Sequence, residues 1–377
     1  MSRVVILGGG FGGSAAALRA RELLPAKHQV VLIDRSPETY LCGANLSVMV
    51  GSGEPVSRSL GYLADRGVQV VISEIEGIDL RERTVHTSGG AESWDQLVVA
   101  LGVRYDWDEI PGSRTAHTFY DHVATTRLRD RLEAFQDGSI VIGVGGTPYR
   151  CPPAPLEGAM MIDWALRSRG IRGAAEITVV IPEPKPLGVA GPEASETVTA
   201  ALSERGIELV TGKRVVTVDG DRVILDDAEE RSADIAITVP VHRVPPVVAE
   251  AGLTDGRPWV PVDPDSLLTA VPDVYAVGDV NAIPIGPDRG VPKAGVFASG
   301  QGRHVAERIS ATIRDVPPPD PYDGDGYCFL SFGGELGARV GGRFLAPDGP
   351  VVGLETPSAE GHRSKEEWVA SWQHFEV

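Results

Sequence analysis

The stretch from Val4 to Asp34 constrains this chain more than any other. A short β-branched run, Val4 to Leu7, meets Gly8-Gly9-Gly10-Phe11-Gly12-Gly13, and a helical run from Ser14 to Leu24 follows. Gly8, Gly10 and Gly13 fit the spacing G-x-G-x-x-G. The first glycine makes a tight turn, the second lets a pyrophosphate approach the backbone, and the third lets helix and strand pack closely. A second strand, Val30 to Ile33, ends on Asp34, where a carboxylate accepts from both ribose hydroxyls and repels a 2′-phosphate. Strand, turn, helix, strand and acid in this order predict a Rossmann unit with a bound adenine dinucleotide. The alternative is a fortuitous glycine turn.

A second turn begins in the same way and ends differently. Ile140 to Ile142 lead into Gly143, Gly145 and Gly146, but Thr147, Pro148, Tyr149, Arg150, Cys151, Pro152 and Pro153 come next. A prolyl ring has no N–H to give a phosphate and fixes the backbone away from the tight turn, which disfavours NADH at this second site. A thiol stands where a second nucleotide is expected. Pro152 to Pro155 can begin a helix but not continue one, and Leu156, Ala159, Met160 and Trp164 then form an apolar stripe. Cys151 thus sits just before a helix N-terminus, where the dipole favours thiolate.

The remaining pattern is that of an α/β protein with two Rossmann-like domains. Val68 to Ile72 reads as a third strand, Glu74 to Thr87 as a hairpin, and Leu97 to Gly102 as a strand with a glycine turn. Arg127 to Phe135 and Glu193 to Arg205 read as helices, Ile177 to Ile181 as a strand, and Val216 to Arg231 as hairpin-like. Val274 to Asp279 is a late strand ending on Gly-Asp, with a helix from Gly295 to Arg314 after it. The expected division is a first dinucleotide domain in two pieces, 1–106 and 240–316, a second inserted at 107–239, and a small C-terminal domain at 317–377.

Charge and cysteine content narrow the function classes. Acidic residues number 52 against 35 basic, and the net charge of −17 repels nucleic acid and anionic lipid. No apolar run approaches the roughly 18 residues of a membrane span. The chain enters a strand at once, so a cytoplasmic protein is expected, or a periplasmic one from which a leader has been removed. Cys42, Cys151 and Cys328 are too few for a disulfide scaffold and lack zinc-ligand spacing, so no metal is expected; buried inert cysteines are the plain alternative.

LVVALG at 97–102 and VYAVGDV at 274–280, with the opening GGGFGG, resemble the two-dinucleotide-domain flavoprotein disulfide reductase superfamily. The resemblance implies FAD in the first domain, held by the Gly8, Gly10, Gly13 turn, Asp34, Gly102 and Gly278, with Asp279 accepting from the ribityl chain. A helix N-cap is the other role open to Asp279. Tyr149 to Glu157 resembles more closely the flavoprotein subunit of flavocytochrome c sulfide dehydrogenase and the related sulfide:quinone oxidoreductases. Pro292 to Ala298, with Lys293 beside the flavin, Tyr327-Cys328-Phe329 and the aromatic ending Trp368 to Phe375 carry the same likeness.

This resemblance implies a redox disulfide between Cys151 and Cys328, opened by hydrosulfide, with electrons passing through FAD to a quinone or cytochrome c-type acceptor. Glu157 matches the family's candidate base, and it equally suits a helix N-terminus. Cys42 falls near the cysteine that carries the flavin covalently in some members; packing beside the flavin ring is its alternative. Trp368, Trp372 and Phe375 have helical spacing, and the flanking Glu366, Glu367 and Glu376 favour packing over the flavin pocket rather than membrane insertion; peripheral membrane contact stays open. The expected activity is FAD-dependent oxidation of sulfide, or of a small thiol or persulfide. A type II NADH:quinone oxidoreductase or NADH-linked disulfide reductase, and a flavin redox sensor without turnover, are the rival readings. A homodimer stays open.

Overall fold

In the computed structural model, which describes residues 1–286 and 289–373, two parallel sheets carry the chain's apolar runs. The first has the order Val274–Ala276, Gln96–Val99, Arg3–Leu7, Gln29–Asp34, Gln69–Ile72. Val4 to Leu7 and Val30 to Ile33 are all buried, as befits parallel strands covered on both faces. Their alternation divides two cores. Val4, Ile6, Val30 and Leu32 face the helices Phe11–Leu23 and Gly295–Arg314. Val5, Leu7, Val31 and Ile33 face Trp94, Trp259 and an antiparallel meander of Ile75–Asp79, Thr84–Thr87 and Gly90–Ser93. The expected hairpin therefore gains a third strand, because the chain must return across the sheet to reach Gln96.

The second sheet, in the order Ile207–Thr211, Ala175–Ile181, Gly138–Val144, Ile235–Val239, is also parallel throughout. Helices His122–Ala134, Ala154–Ser168 and Pro192–Glu204 flank this sheet. The meander Val215–Asp219, Arg222–Leu225, Glu230–Ser232 lies on its other face. The helix expected from Arg127 starts a turn earlier. Asp121 caps it, its carboxylate accepting from the Ala124 N–H at 2.8 Å, and the polar first turn hid this from the apolar pattern. Chain past the second sheet returns to the first through Val274, then forms an antiparallel sheet of Asp325–Ser331, Gly337–Arg343 and Val351–Leu354, and a last helix, Ala359–Gln373. Phe375 and Glu376 lie outside the described residues. Among the described residues no helix is long and apolar enough to cross a membrane.

The first glycine turn is held by the contact between its own helix and Gly295–Arg314. A Cβ on Gly302 would lie 2.1 Å from the Gly12 carbonyl oxygen, whereas one on Gly300 would meet nothing nearer than 3.7 Å. Both substitutions to alanine gain the same helix propensity, about 1 kcal/mol. Gly302→Ala is expected to lower the thermal unfolding midpoint through about 1–3 kcal/mol of overpacking. Gly300→Ala is expected to leave the midpoint unchanged or raise it, and calorimetry of the two variants checks the pair.

Candidate active site

The first glycine turn leaves a cradle of the right kind. A Cβ on Gly8, whose φ is +101°, would sit 2.5 Å from the Ala100 carbonyl oxygen, and one on Gly13 would sit 1.8 Å from that of Gly8. A Cβ on Gly10 would meet nothing within 4 Å. The outer glycines are required by packing; the middle one faces open space. Helix Phe11–Leu23 begins here without a side-chain cap, so its first N–H groups are available to an anion. Asp34 accepts from the Gly9 N–H at 2.6 Å and the Ser36 N–H at 2.8 Å, one oxygen each, which leaves lone pairs for ribose hydroxyls. Gly102 and Gly278 both have left-handed backbones, φ +63° and +75°. Asp279 stands in a short 3₁₀ turn rather than at the start of a long helix, with its carboxylate 3.8 Å from Arg150 Nε. This set of residues fits a flavin dinucleotide.

Lys293 lines a cavity with Gly278 and Asp279, and its ammonium is anchored from the protein side: Nζ donates to the Asp279 carbonyl at 2.6 Å and the Asn281 carbonyl at 2.9 Å, 3.7 Å from the centre of the Trp259 ring. Burial pushes its pKa down to about 8. Lys293 thus braces the turn that carries Asp279.

The second glycine turn is filled. A Cβ on Gly143 would lie 2.2 Å from Val215, and one on Gly145, the counterpart of Gly10, 2.2 Å from Ile110 Cδ1. Glu183, just past the second strand of this unit, accepts from the Tyr149 hydroxyl at 3.4 Å. Side chains of the protein occupy the place of a second pyrophosphate.

Immediately after that turn, two cysteines distant in sequence come together. Cys151 has a left-handed backbone, φ +51°, rare for a residue with a side chain and costing about 1–2 kcal/mol. Its N–H donates to the Lys293 carbonyl and its carbonyl accepts from the Ala154 N–H, both at 2.8 Å. Cys328, on strand Asp325–Ser331, is hydrogen-bonded to Cys151; that bond, with burial, holds its thiol well above the ordinary range. Both residues are free thiols here. Cys42 is not part of this pair. It lies on the 3₁₀ turn Cys42–Ala44, half-buried, and hydrogen-bonds the Arg150 guanidinium.

The sequence model of the pyridine nucleotide-disulphide oxidoreductase family matches residues 2–302. The chain belongs to that family. It is 28% identical over 370 residues to a sulfide-quinone reductase of Aquifex aeolicus, covering 93% of this chain and 85% of the relative. A type II NADH:quinone oxidoreductase of Staphylococcus saprophyticus is 23% identical, covering 84% and 83%. The crystal structure of the Aquifex aeolicus sulfide:quinone oxidoreductase superposes with a TM-score of 0.88 at 25% identity, over 98% of this chain and 90% of that one. The protein is an FAD-dependent oxidoreductase with two Rossmann-like units.

In this flavoprotein the last helix closes the site from two sides. Trp368 stacks on Phe11 of the first glycine turn, with ring centroids 6.2 Å apart and planes 2° from parallel. Trp372 is buried against Arg58, whose guanidinium lies 4.3 Å from its ring. Both tryptophans pack inward. One turn before Trp368 on the same helix lies a group that the sequence pattern did not single out. Lys365, buried, pairs with Glu157 and donates to Ser331 Oγ at 2.9 Å. Glu157 is in the first turn of Ala154–Ser168, so it serves the helix N-terminus and the ion pair together. The spacing of Gly361, Lys365, Trp368 and Trp372 already placed the lysine on the apolar face of that helix.

Removing one partner of a buried pair leaves an uncompensated charge, at about 3–5 kcal/mol. Lys365→Met is expected to lose about that much stability, and Lys365→Met with Glu157→Gln to recover most of it. Denaturant unfolding of the two single variants and the double variant closes the cycle.

Proposed function

We propose that this flavoprotein oxidises sulfide through Cys151 and Cys328 and delivers the electrons to a quinone. One observation carries the reading. Two thiols far apart in sequence meet beside a buried ion pair, on a turn whose nucleotide space Ile110 has filled. Similarity to the sulfide-quinone reductase of Aquifex aeolicus over 93% of the chain supports it.

Gly8, Gly10, Gly13, Asp34, Gly102, Gly278 and Asp279 are the residues assigned to hold FAD. When bound, FAD supplies the two-electron acceptor for sulfur and the relay to the quinone. The chain's own work is thiol–disulfide exchange. In the oxidised pair, hydrosulfide attacks the Cys328 sulfur, a new S–S bond forms, and the Cys151–Cys328 bond breaks. Cys328 keeps the added sulfur as a persulfide, and Cys151 departs with the electron pair as thiolate. A helix N-terminus lies just past the departing sulfur, where negative charge is favoured. Leu187 and Val340 wall the Cys328 side with apolar surface, which suits the neutral sulfane sulfur that the exchange leaves there. The Glu157 carboxylate, held by Lys365, is the group assigned to handle the substrate proton.

A reading with NADH as donor needs a pyrophosphate against Gly145, and Ile110 stands there. The decisive experiment is an anaerobic titration of the flavin spectrum. Sulfide is expected to bleach wild type and NADH is not. Cys151→Ser and Cys328→Ser are each expected to slow bleaching by sulfide at least about 100-fold. Wild type that stays yellow with sulfide, or variants that bleach as fast as wild type, would sink the proposal. For Cys42 the assigned role is covalent attachment of the flavin, so acid precipitation is expected to leave colour in the wild-type pellet and none with Cys42→Ser.

A further inference from the structure

The main chain at Arg150 has both of its polar groups taken by side chains from elsewhere in the fold. Its N–H donates to His242 Nε2 at 3.3 Å, and its carbonyl accepts from the Tyr120 hydroxyl at 2.7 Å. Tyr120 precedes helix His122–Ala134, and His242 is on Val241–Arg243, the strand through which the chain leaves the second sheet. Both are buried. His242 contacts the Pro240 carbonyl through Nδ1 at 2.7 Å. A carbonyl only accepts, so the ring proton is on Nδ1 and the Nε2 lone pair is free to receive the Arg150 N–H. Tyr105 and Tyr120 set their rings edge-on to the imidazole, with centroids 5.0 and 5.5 Å away, and the Tyr105 hydroxyl donates to the Tyr120 carbonyl at 3.1 Å. Burial, with the nearby Arg150 charge, holds the His242 pKa down to about 3, which keeps the ring an acceptor.

Arg150 immediately precedes the left-handed Cys151 and also reaches Cys42 and Asp279 with its guanidinium. The main chain at Arg150 therefore sets where the Cys151 thiol starts. We propose that Tyr120 and His242 are positioning residues which fix the main chain of Arg150, and thereby hold the Cys151 sulfur in register with Cys328. The pairing of those two thiols as a redox couple rests on the function proposed above.

The test uses the FAD-loaded protein equilibrated in glutathione redox buffers, with the Cys151–Cys328 couple read by alkylation and mass spectrometry. Tyr120→Phe keeps the ring and deletes the donor. His242→Phe keeps an edge-packed ring and deletes the acceptor. His242→Gln places an amide oxygen where Nε2 was. The two phenylalanine variants are expected to shift the thiol–disulfide equilibrium about fivefold to tenfold, the effect of one lost hydrogen bond. His242→Gln is expected to stay within about twofold of wild type, at unchanged flavin content. Phenylalanine variants that titrate like wild type would overturn the proposal, as would His242→Gln and His242→Phe shifting equally, since packing alone would then explain the effect. Because the exchange is read without sulfide, a protein inert to sulfide that still shows these shifts would refute the proposed substrate and leave the positioning roles standing.

Discussion

Residue 151 takes a backbone conformation that its side chain disfavours, and the restraint on it comes chiefly from three distant places. The Lys293 carbonyl accepts from its N–H, while the Tyr120 hydroxyl and the His242 ring hold the residue before it. Strain of this kind persists only where surrounding structure over-determines it. Here the over-determination joins the segment that carries Asp279 to the segment that carries Cys151, through the parallel pairing of Arg150 with Lys293. The first sheet's last turn and the second sheet's first turn are thereby fixed against each other. The proposed chemistry between a cofactor in one and a thiol in the other depends on that contact.

The two glycine turns show how one pattern is put to opposite uses. Both begin with an apolar parallel strand, and both have a glycine where backbone and ligand would touch. At Gly10 the space is open; at Gly145 it holds the Ile110 side chain, brought in by the loop between Asp106 and His117. A glycine that admits a phosphate and a glycine that admits an isoleucine look alike in sequence. What separates them is the partner, and the partner lies 35 residues upstream, at 110 against 145.

The legibility of this chain in its sequence follows the same division. Features that depend on local chain geometry could be read directly. The Gly8 to Gly13 turn, its flanking strands and Asp34 stand where spacing puts them, and Gly295 to Arg314 is a helix over the range its pattern gives. Pro148, with the Cys151-Pro152-Pro153 run after it, signalled that the second turn differs. Pairing of Cys151 with Cys328 came from family likeness and from nothing in their spacing. Contacts made across the fold were silent. Lys293 looked like a cofactor ligand because it follows a proline in a familiar run, but the two carbonyls and the ring that anchor its ammonium could not be read there. Lys365 was passed over because the tryptophans around it pointed toward an aromatic lid. The helical spacing of Lys365 with Gly361, Trp368 and Trp372 was the signal to weigh.

The Glu157–Lys365 pair bears on how the protein is made. Synthesis runs from the N-terminus, so the helix bearing Glu157 leaves the ribosome long before its partner cation exists. Until then that carboxylate cannot enter the interior as an ion without a heavy desolvation penalty. Phe11 likewise waits for Trp368. The strands of both sheets can pair early, while the walls of the thiol pocket are completed by the final helix. A chain that ends before residue 365 would leave Glu157 without the cation that neutralises it in the fold.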